Sequence, residues 1–266
     1  MFAPDWSNGS YERIAPQLLP AARIAVALAD ITSGTRVVDI GCGSGNATLL
    51  AAGPGVRVTG IDPAARLLAV ADARATAEGK VITFRSGTAI ATGLTARCAD
   101  VVMSVFGLIF EPDAAATARE LDRITAPNGR IVLTAWLPGS ALDEINAEAM
   151  RTYAAAAGSP ARPAGGMDWH DPDSVADLLR PYEFTVTAQR HTLAFTADSP
   201  QGYWELSAHH PFAVTTWELF NQHGLLEGLH SRTIDILERV NEEPDQMRFT
   251  APYQVLVAQR TAPDRP

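Results

Sequence analysis

Between residues 36 and 137 the chain alternates short β-branched runs with stretches of helical spacing. RVVDIG, VRVTGID, VITFRSG, ADVVMSVF and GRIVLTAW read as buried strands, each bounded by Gly, Asp or Pro. Between them, SGNATLLAAG, PAARLLAVADARATAEG and PDAAATARELDRITAP repeat their apolar positions with a helical period and stop at Gly or Pro. Strands that alternate with helices in this way predict a doubly wound α/β fold. Its parallel sheet is covered on both faces, because a right-twisted strand followed by a helix returns to the sheet by a right-handed crossover.

The flanks follow other rhythms. Tyr11 to Ala29 reads as a helix broken near Pro16 and Pro20, residues 139 to 157 as a helix, and SPARPAGG as a loop. Asp171-Pro172 opens a short helix ending near Arg180, since Asp caps a helix start and Pro fits its first turn. FTVTAQRHTLAFT and RFTAPYQVLVAQR alternate as strands and bring the sheet to seven, mostly parallel. The roughly 50 residues between these two strands are too many for a hairpin loop and predict a helical cover over one end of the sheet, where substrate specificity would reside. The expected organisation is an N-terminal helical segment at 1–30, a core at 31–198 and 247–260, and the cover at 199–246.

Charge narrows the partners. With 21 basic against 30 acidic residues the net charge is −9, which repels phosphate backbones and anionic membranes and argues against a nucleic-acid substrate. AARIAVALAD, the most apolar stretch, is interrupted by Arg23 and closed by Asp30, well short of the roughly 20 apolar residues of a membrane span. Cys42 and Cys98 form no CxxC pair, so neither a disulfide framework nor a zinc site is expected. The first 16 residues carry Asp5, Glu12 and two prolines where a signal peptide needs a basic start and an apolar run. A cytoplasmic location is the expectation; the oligomeric state stays open.

The most informative chemistry is VVDIGCGSGNA at 37–47, an apolar strand with Asp39 followed by Gly41, Gly43 and Gly45 at the entry of a helix. Glycines let backbone approach a ligand closely, and a helix start supplies free N–H groups, so a nucleotide-like ligand is expected. A dinucleotide turn reads GxGxxG; this one reads GxGxG, with Asn46 where the third glycine would fall. Asp39 disfavours a polyphosphate and suits a ligand carrying an ammonium or sulfonium charge. Asp62 ends the second strand 21 residues after Gly41, where a carboxylate accepts hydrogen bonds from both ribose hydroxyls of an adenosine.

In this combination the chain resembles the class I S-adenosylmethionine-dependent methyltransferases, strongly over residues 30–137. It is similar in particular to the small-molecule enzymes related to quinone biosynthesis, through SVFGLIF, EPDAAATARELDRITAPNGR and LTAWLPGS, and more loosely through WHDPDSVADLLRPYEF and SPQGYW. The resemblance implies a Rossmann-like fold with S-adenosylmethionine as methyl donor. Asp39, Gly41, Cys42 and Gly43 would line its methionine end, Asp62 its ribose and Pro63 its adenine. Thr88 stands where an aspartate usually meets the adenine amino group, so that bond is weaker or comes from Ser86, while Ala89 still offers its N–H. Ser104 and Phe106 would face the methyl group. Asn128 replaces a usual glycine.

Absent motifs trim the acceptor classes. Base-amino methyltransferases carry an Asn/Asp-Pro-Pro-aromatic loop after the fourth strand, but here the chain reads Ser104-Val105-Phe106-Gly107. Hard oxygen ligands for a catechol-type metal site are missing between Val102 and Phe110, so no metal is expected. Tyr203, Trp204, Phe212, Trp217, Phe220, Phe249 and Tyr253 crowd the late chain, and Tyr203, Trp204 and Phe212 are candidate walls of a pocket for a small, rather apolar acceptor. Alignment and desolvation would supply most of the acceleration. His209, His210 and His170 are the candidate bases; on one helix, His209 and His210 would point about 100° apart, so at most one would enter the pocket. His223 and His230 read as sharing a helical face, without partners for a metal. The expected function is methyl transfer to O, C or N of a small organic acceptor, a secondary metabolite or quinone-like ring. The alternatives are a non-catalytic S-adenosylmethionine-binding regulator or partner subunit, and, less favoured, an NAD-dependent oxidoreductase.

Overall fold

The computed structural model describes residues 5–158 and 167–261; SPARPAGG lies outside the described residues. β1 (Arg36–Ile40), β2 (Arg57–Asp62), β3 (Thr83–Ser86), β4 (Ala99–Val105) and β5 (Thr125–Trp136) run parallel. β7 (Met247–Arg260) pairs antiparallel with β5, and β6 (Phe184–Ala197) lies beyond it, completing a seven-stranded sheet of order β3-β2-β1-β4-β5-β7-β6. The order reverses between β1 and β4, the switch point at which open α/β sheets bind ligands beyond their strand ends.

The helices are α1 (Leu19–Leu28), α2 (Asn46–Ala51), α3 (Ala65–Ala77), α4 (Ala114–Ile124), α5 (Ala141–Ala157), α6 (Pro172–Leu179), α7 (Pro200–Ser207), α8 (Pro211–Gln222) and α9 (Leu226–Val240). Among the described residues no helix is long and apolar enough to cross a membrane. Two expectations need correction. Residues 11–18 form short 3₁₀ turns, and Pro20 opens α1 rather than breaking it, because its fixed φ suits a first turn. VITFRSG is not a buried strand: β3 starts only at Thr83, and its residues are mostly exposed, since an edge strand has one neighbour.

The chain forms two compact units. One comprises Leu18–Trp136, the segment from residue 167 to His191, and the chain from Tyr253 onward. Its core gathers Leu121 and Ile124 of α4, Ile131 and Leu133 of β5, Val175 and Leu179 of α6, and Leu256 of β7. Fully burying each such side chain contributes about 1.5–3 kcal/mol before entropy is counted. Asp171 caps α6 by accepting from the N–H and hydroxyl of Ser174 at 3.1 and 2.6 Å.

The second unit gathers the segment ending at Gln17, the chain from Leu137 that carries α5, and Thr192–Pro252. A capping box of Ser140 and Asp143 starts α5, and Arg232 of α9 bonds Glu148 of α5 at 2.8 Å. Phe249 stacks on Phe195 at 5.1 Å and meets the edge of Tyr203 at 5.3 Å, while Trp204 stacks on Trp217 at 4.3 Å.

Arg260 ties the end of β7 into the first unit. It donates to the carbonyls of Tyr182 and Asp122 at 3.1 and 3.0 Å, lies 2.8 Å from the Asp122 carboxylate and covers the Phe184 ring at 4.3 Å. It is 7% exposed, so its removal leaves acceptors stranded in a dry environment. Arg260→Ala is expected to cost about 3 kcal/mol, a fall of roughly 6–12 °C in Tm. Arg180→Ala, which loses only an exposed pair with Asp177, should stay within about 0.5 kcal/mol of the parent. Thermal melts of both variants check the contrast; equal losses would refute it.

Candidate active site

At the end of β1 the chain turns at Gly41, whose φ is +67° and whose N–H, with that of Cys42, donates to the Ile61 carbonyl at 2.8 and 3.0 Å. A Cβ on Gly41 would lie 3.0 Å from the Gly107 Cα, so the turns after β1 and β4 meet backbone to backbone. Gly45, at φ +89°, precedes α2, which is only six residues long. The N–H groups of Gly41, Cys42 and Gly43 are all committed to the end of β2, the first two to the Ile61 carbonyl and the third to the Asp62 carboxylate, so the ligand chemistry rests on side chains instead.

Two carboxylates are brought together here. Asp62 accepts from the N–H of Gly43 and of Ala64, each at 2.8 Å, so each oxygen keeps a lone pair for a further donor. Burial raises its pKa against those two bonds. Asp39 is 1% exposed; its Oδ2 accepts from the Thr48 hydroxyl at 2.5 Å, while its Oδ1 is buried without any partner. Burial pushes this carboxyl up to about 7, against the Thr48 bond and with a contribution from the charge of Asp62. An orphaned oxygen on an acid that is only partly ionised at neutral pH fits a ligand that brings a hydrogen-bond donor, and best a cation. Cys42 is buried and its thiol is pushed well above its ordinary value by desolvation, which makes it an apolar liner and not a nucleophile.

Around them, Pro63 is exposed beside Asp62, and Thr88 and Ala91 exchange backbone hydrogen bonds that fold Thr88–Ala91 into a tight turn with Ala89 nearly buried. Arg74 of α3 holds the glycine turn by donating to the Ser44 carbonyl at 2.6 Å. Ser104 is at the place expected of it but its hydroxyl is engaged: it donates to the Ile40 carbonyl at 2.7 Å and accepts from the Leu108 N–H at 3.2 Å. Phe106 adopts a left-handed conformation, φ +57°, with its N–H on the Thr134 hydroxyl at 2.8 Å and its ring stacked 3.9 Å from Trp136.

The histidines are arranged differently from expectation. His209 and His210 are not on one helix: they lie between α7 and α8, and His210 caps α8 through Nδ1, which accepts from the Phe212 N–H at 3.1 Å. The His210 ring lies 5.5 Å from Trp6 and 6.0 Å from Tyr11, and burial lowers its pKa to about 4. With Nδ1 occupied and the proton on Nε2, this imidazole has no free lone pair for a base. The His209 carbonyl accepts from the Ser10 N–H at 3.0 Å, and the His170 carbonyl accepts from Gln254 at 2.7 Å. His223 ends α8 and His230 belongs to α9, so they share no helical face; Gly224 separates the helices.

Of the pocket candidates, Tyr203 is 9% exposed and packed between Phe195 and Phe249, a core position in its unit. Phe212 lies 6.5 Å from Phe220 in α8. Trp204 lines an open depression of about 330 Å³ with Gln201, Asn221, Leu226, Glu227 and His230. Among the described residues no group of three or more His, Cys, Asp or Glu is placed to hold a metal. His191, which sequence reasoning does not single out, and Tyr253, which it names only within the late aromatic cluster, bring buried polar atoms to the neighbourhood of Phe106.

Comparison with known proteins agrees with this geometry. Residues 38–133 match the methyltransferase domain family. The nocamycin O-methyltransferase of Saccharothrix syringae is 30% identical over 215 residues, 70% of this chain and 77% of its own length. An uncharacterised protein of Mycobacterium tuberculosis is 34% identical over 192 residues, 71% of this chain and 68% of its own. The crystal structure of the YcgJ protein of Bacillus subtilis shares the fold, with a TM-score of 0.61 at 16% identity, covering 91% of this chain and 99% of its own. A glycine turn that ends on two buried carboxylates, a seven-stranded sheet of this order and these relatives lead to one conclusion: the chain belongs to the S-adenosylmethionine-dependent small-molecule methyltransferases.

Proposed function

We propose that the protein transfers the methyl group to an oxygen of a small, largely apolar organic molecule, a secondary metabolite with a phenolic, enolic or carboxylic hydroxyl. The observation that carries the donor half is the buried, unpartnered Oδ1 of Asp39 beside Asp62. The oxygen acceptor is supported by the relative named as an O-methyltransferase, over 77% of its length, and by the apolar Phe106–Trp136 stack at the end of β4.

When bound, S-adenosylmethionine would supply a sulfonium methyl group whose carbon an oxygen can attack in line, the S–CH3 bond breaking as the O–CH3 bond forms and S-adenosylhomocysteine leaving as the neutral thioether. The chain's own work is placement. Asp39 would accept from the donor's ammonium end and thereby be held ionised; Gly41, Cys42 and Gly43 would let backbone and a small thiol line that end. Asp62 would use its remaining lone pairs on the ribose hydroxyls, and Pro63 and the Thr88–Ala89 turn would flank the adenine. Ser104 takes a positioning role, because its two hydrogen bonds hold the β4 turn against the β1 turn. Phe106 and Trp136 keep water from the reacting oxygen, which raises its nucleophilicity by desolvation. Removal of the hydroxyl proton falls to a group other than His210, whose burial keeps it neutral and whose Nδ1 is used as a cap.

Three outcomes are expected. Asp62→Ala should weaken S-adenosylhomocysteine binding by one to two orders of magnitude, about 1.5–3 kcal/mol for lost charged hydrogen bonds, as read by calorimetry; unchanged affinity would remove Asp62 from the ribose. Because the free protein's Asp39 titrates near 7 and a cation beside it favours the ionised form, affinity should be flat above pH 7 and fall towards tenfold per unit as the pH drops below it. Asp39→Asn should abolish that slope, and a flat profile in the parent would contradict the assignment. Finally, isotopically labelled methyl offered with phenols, enols, carboxylic acids, amines and thiols should appear on oxygen; label found only on nitrogen, sulfur or carbon would overturn the acceptor reading.

A further inference from the structure

Two of the buried polar atoms that lack a partner sit on neighbouring rings of one unit: the hydroxyl of Tyr253 on β7 and Nε2 of His191 on β6, with ring centroids 5.6 Å apart. Tyr253 is fully buried, and it is paired in register with Trp136 at the carboxyl end of β5. Its ring meets Phe106 at 5.6 Å and Trp136 at 6.1 Å, both edge to face. Phe106 is itself the residue before Gly107, the backbone that touches Gly41 of the donor turn. A strained φ of +57° at a bulky residue persists where the surroundings over-determine it, and such strain gathers at ligand sites.

We propose that Tyr253 and His191 are the polar handles of the acceptor site, gripping the oxygen of a planar hydroxylated ring that lies beside the Phe106–Trp136 stack. This rests on the reading of an oxygen acceptor. A hydroxyl can both donate and accept, which is what a tyrosine O–H and an imidazole nitrogen together ask of a partner. Among the described residues the rings of this cluster, Phe106, Trp136, His191 and Tyr253, bring no negative charge that would favour an ammonium acceptor. Leaving both atoms unpaired in an apolar surround is unfavourable, which gives a ligand with one suitably placed oxygen its selectivity over the same ring without it. Burial raises the Tyr253 pKa, so the phenol stays a donor at neutral pH.

The test uses the full chain saturated with S-adenosylhomocysteine and two probes, 1-naphthol and its hydroxyl-free isostere 1-fluoronaphthalene, measured by calorimetry. The parent should bind 1-naphthol at least tenfold more tightly. Tyr253→Phe and His191→Phe should each lower 1-naphthol affinity at least fivefold while leaving 1-fluoronaphthalene and S-adenosylhomocysteine within about twofold. Tyr253→Phe removes one unpartnered oxygen, so its Tm should be unchanged or higher, and it is decisive by itself if His191→Phe does not fold. Several results would overturn the proposal: no preference for 1-naphthol in the parent, undiminished 1-naphthol binding in Tyr253→Phe, equal losses for both probes, or a crystal structure with 1-naphthol present in which only a water joins Tyr253 and His191. Labelled-methyl assays separate this from the broader reading. Normal oxygen methylation with unchanged KM in Tyr253→Phe would refute the handles and leave oxygen transfer standing. Handles that pass the binding test in a protein that labels only nitrogen would refute oxygen transfer instead.

Discussion

The site depends on one contact between two backbones. β1 and β4 are neighbours, and the turns that follow them approach so closely that a Cβ on Gly107 would stand 2.8 Å from the Ser104 hydroxyl and 2.9 Å from the Ile40 carbonyl. Nothing larger than hydrogen fits at that crossing. Ser104 fastens it by bonding the last residue of β1 and the N–H of Leu108 at once. The height of the glycine turn is thereby fixed relative to the end of β4, and with it the separation between whatever Asp39 and Asp62 hold and whatever Phe106 touches. A displacement of about 1 Å at such a crossing is enough to misalign an in-line displacement severely.

Electrostatics at this crossing work against folding. Asp39 is an acid whose folded pKa is raised from 3.8 to about 7, so between those values the native state binds more protons than the unfolded chain. By linkage its contribution to stability declines as pH rises from about 4 to about 7, and the chain at neutral pH carries a partly ionised, unpaired carboxylate in its interior. A cationic ligand relieves that cost, so part of the binding energy is stored beforehand as native-state destabilisation. Asp62 differs because two backbone N–H groups already oppose its desolvation. One carboxylate is solvated by the protein, and the other awaits its partner.

The strand, glycine turn and two carboxylates proposed for the donor were legible because they are local. Asp39, Gly41 and Gly45 lie within seven consecutive residues, and Asp62 ends the next strand, so a strand, a turn and a spacing are enough to read them. Where local pattern misled, longer-range packing was the reason. VITFRSG has the composition of a buried strand but occupies the sheet edge, and Pro20 has the look of a break but starts a helix. His209 and His210 fall in an interhelical turn that helical periodicity cannot foresee, and Ser104 is consumed by a carbonyl 64 residues earlier in the chain. The φ of +61° at Asn128 shows why glycine is usual there and why asparagine, tolerant of the left-handed region, replaces it.

The acceptor handles proposed above could not be read from the sequence, because they lie on β6 and β7, which come together only through long-range pairing. His191 and Tyr253 are 62 positions apart in sequence and their rings are 5.6 Å apart in space. This division has a physical consequence. The donor turn sits on interior parallel strands whose residues are buried on both faces, so substitutions there disturb the whole sheet, whereas β6 is an outer strand whose alternate positions are open to change. With the acceptor handles placed as proposed, specificity would be open to change on β6 and β7 without loosening the grip on the donor. Phe106 joins the two halves. Its left-handed backbone costs on the order of 1–3 kcal/mol, and a glycine in its place would remove that strain at once. The ring that makes the strain worth keeping is the one stacked at 3.9 Å on Trp136 and 5.6 Å from Tyr253, so the strained residue is also the wall shared by the donor's turn and the acceptor's aromatic neighbours.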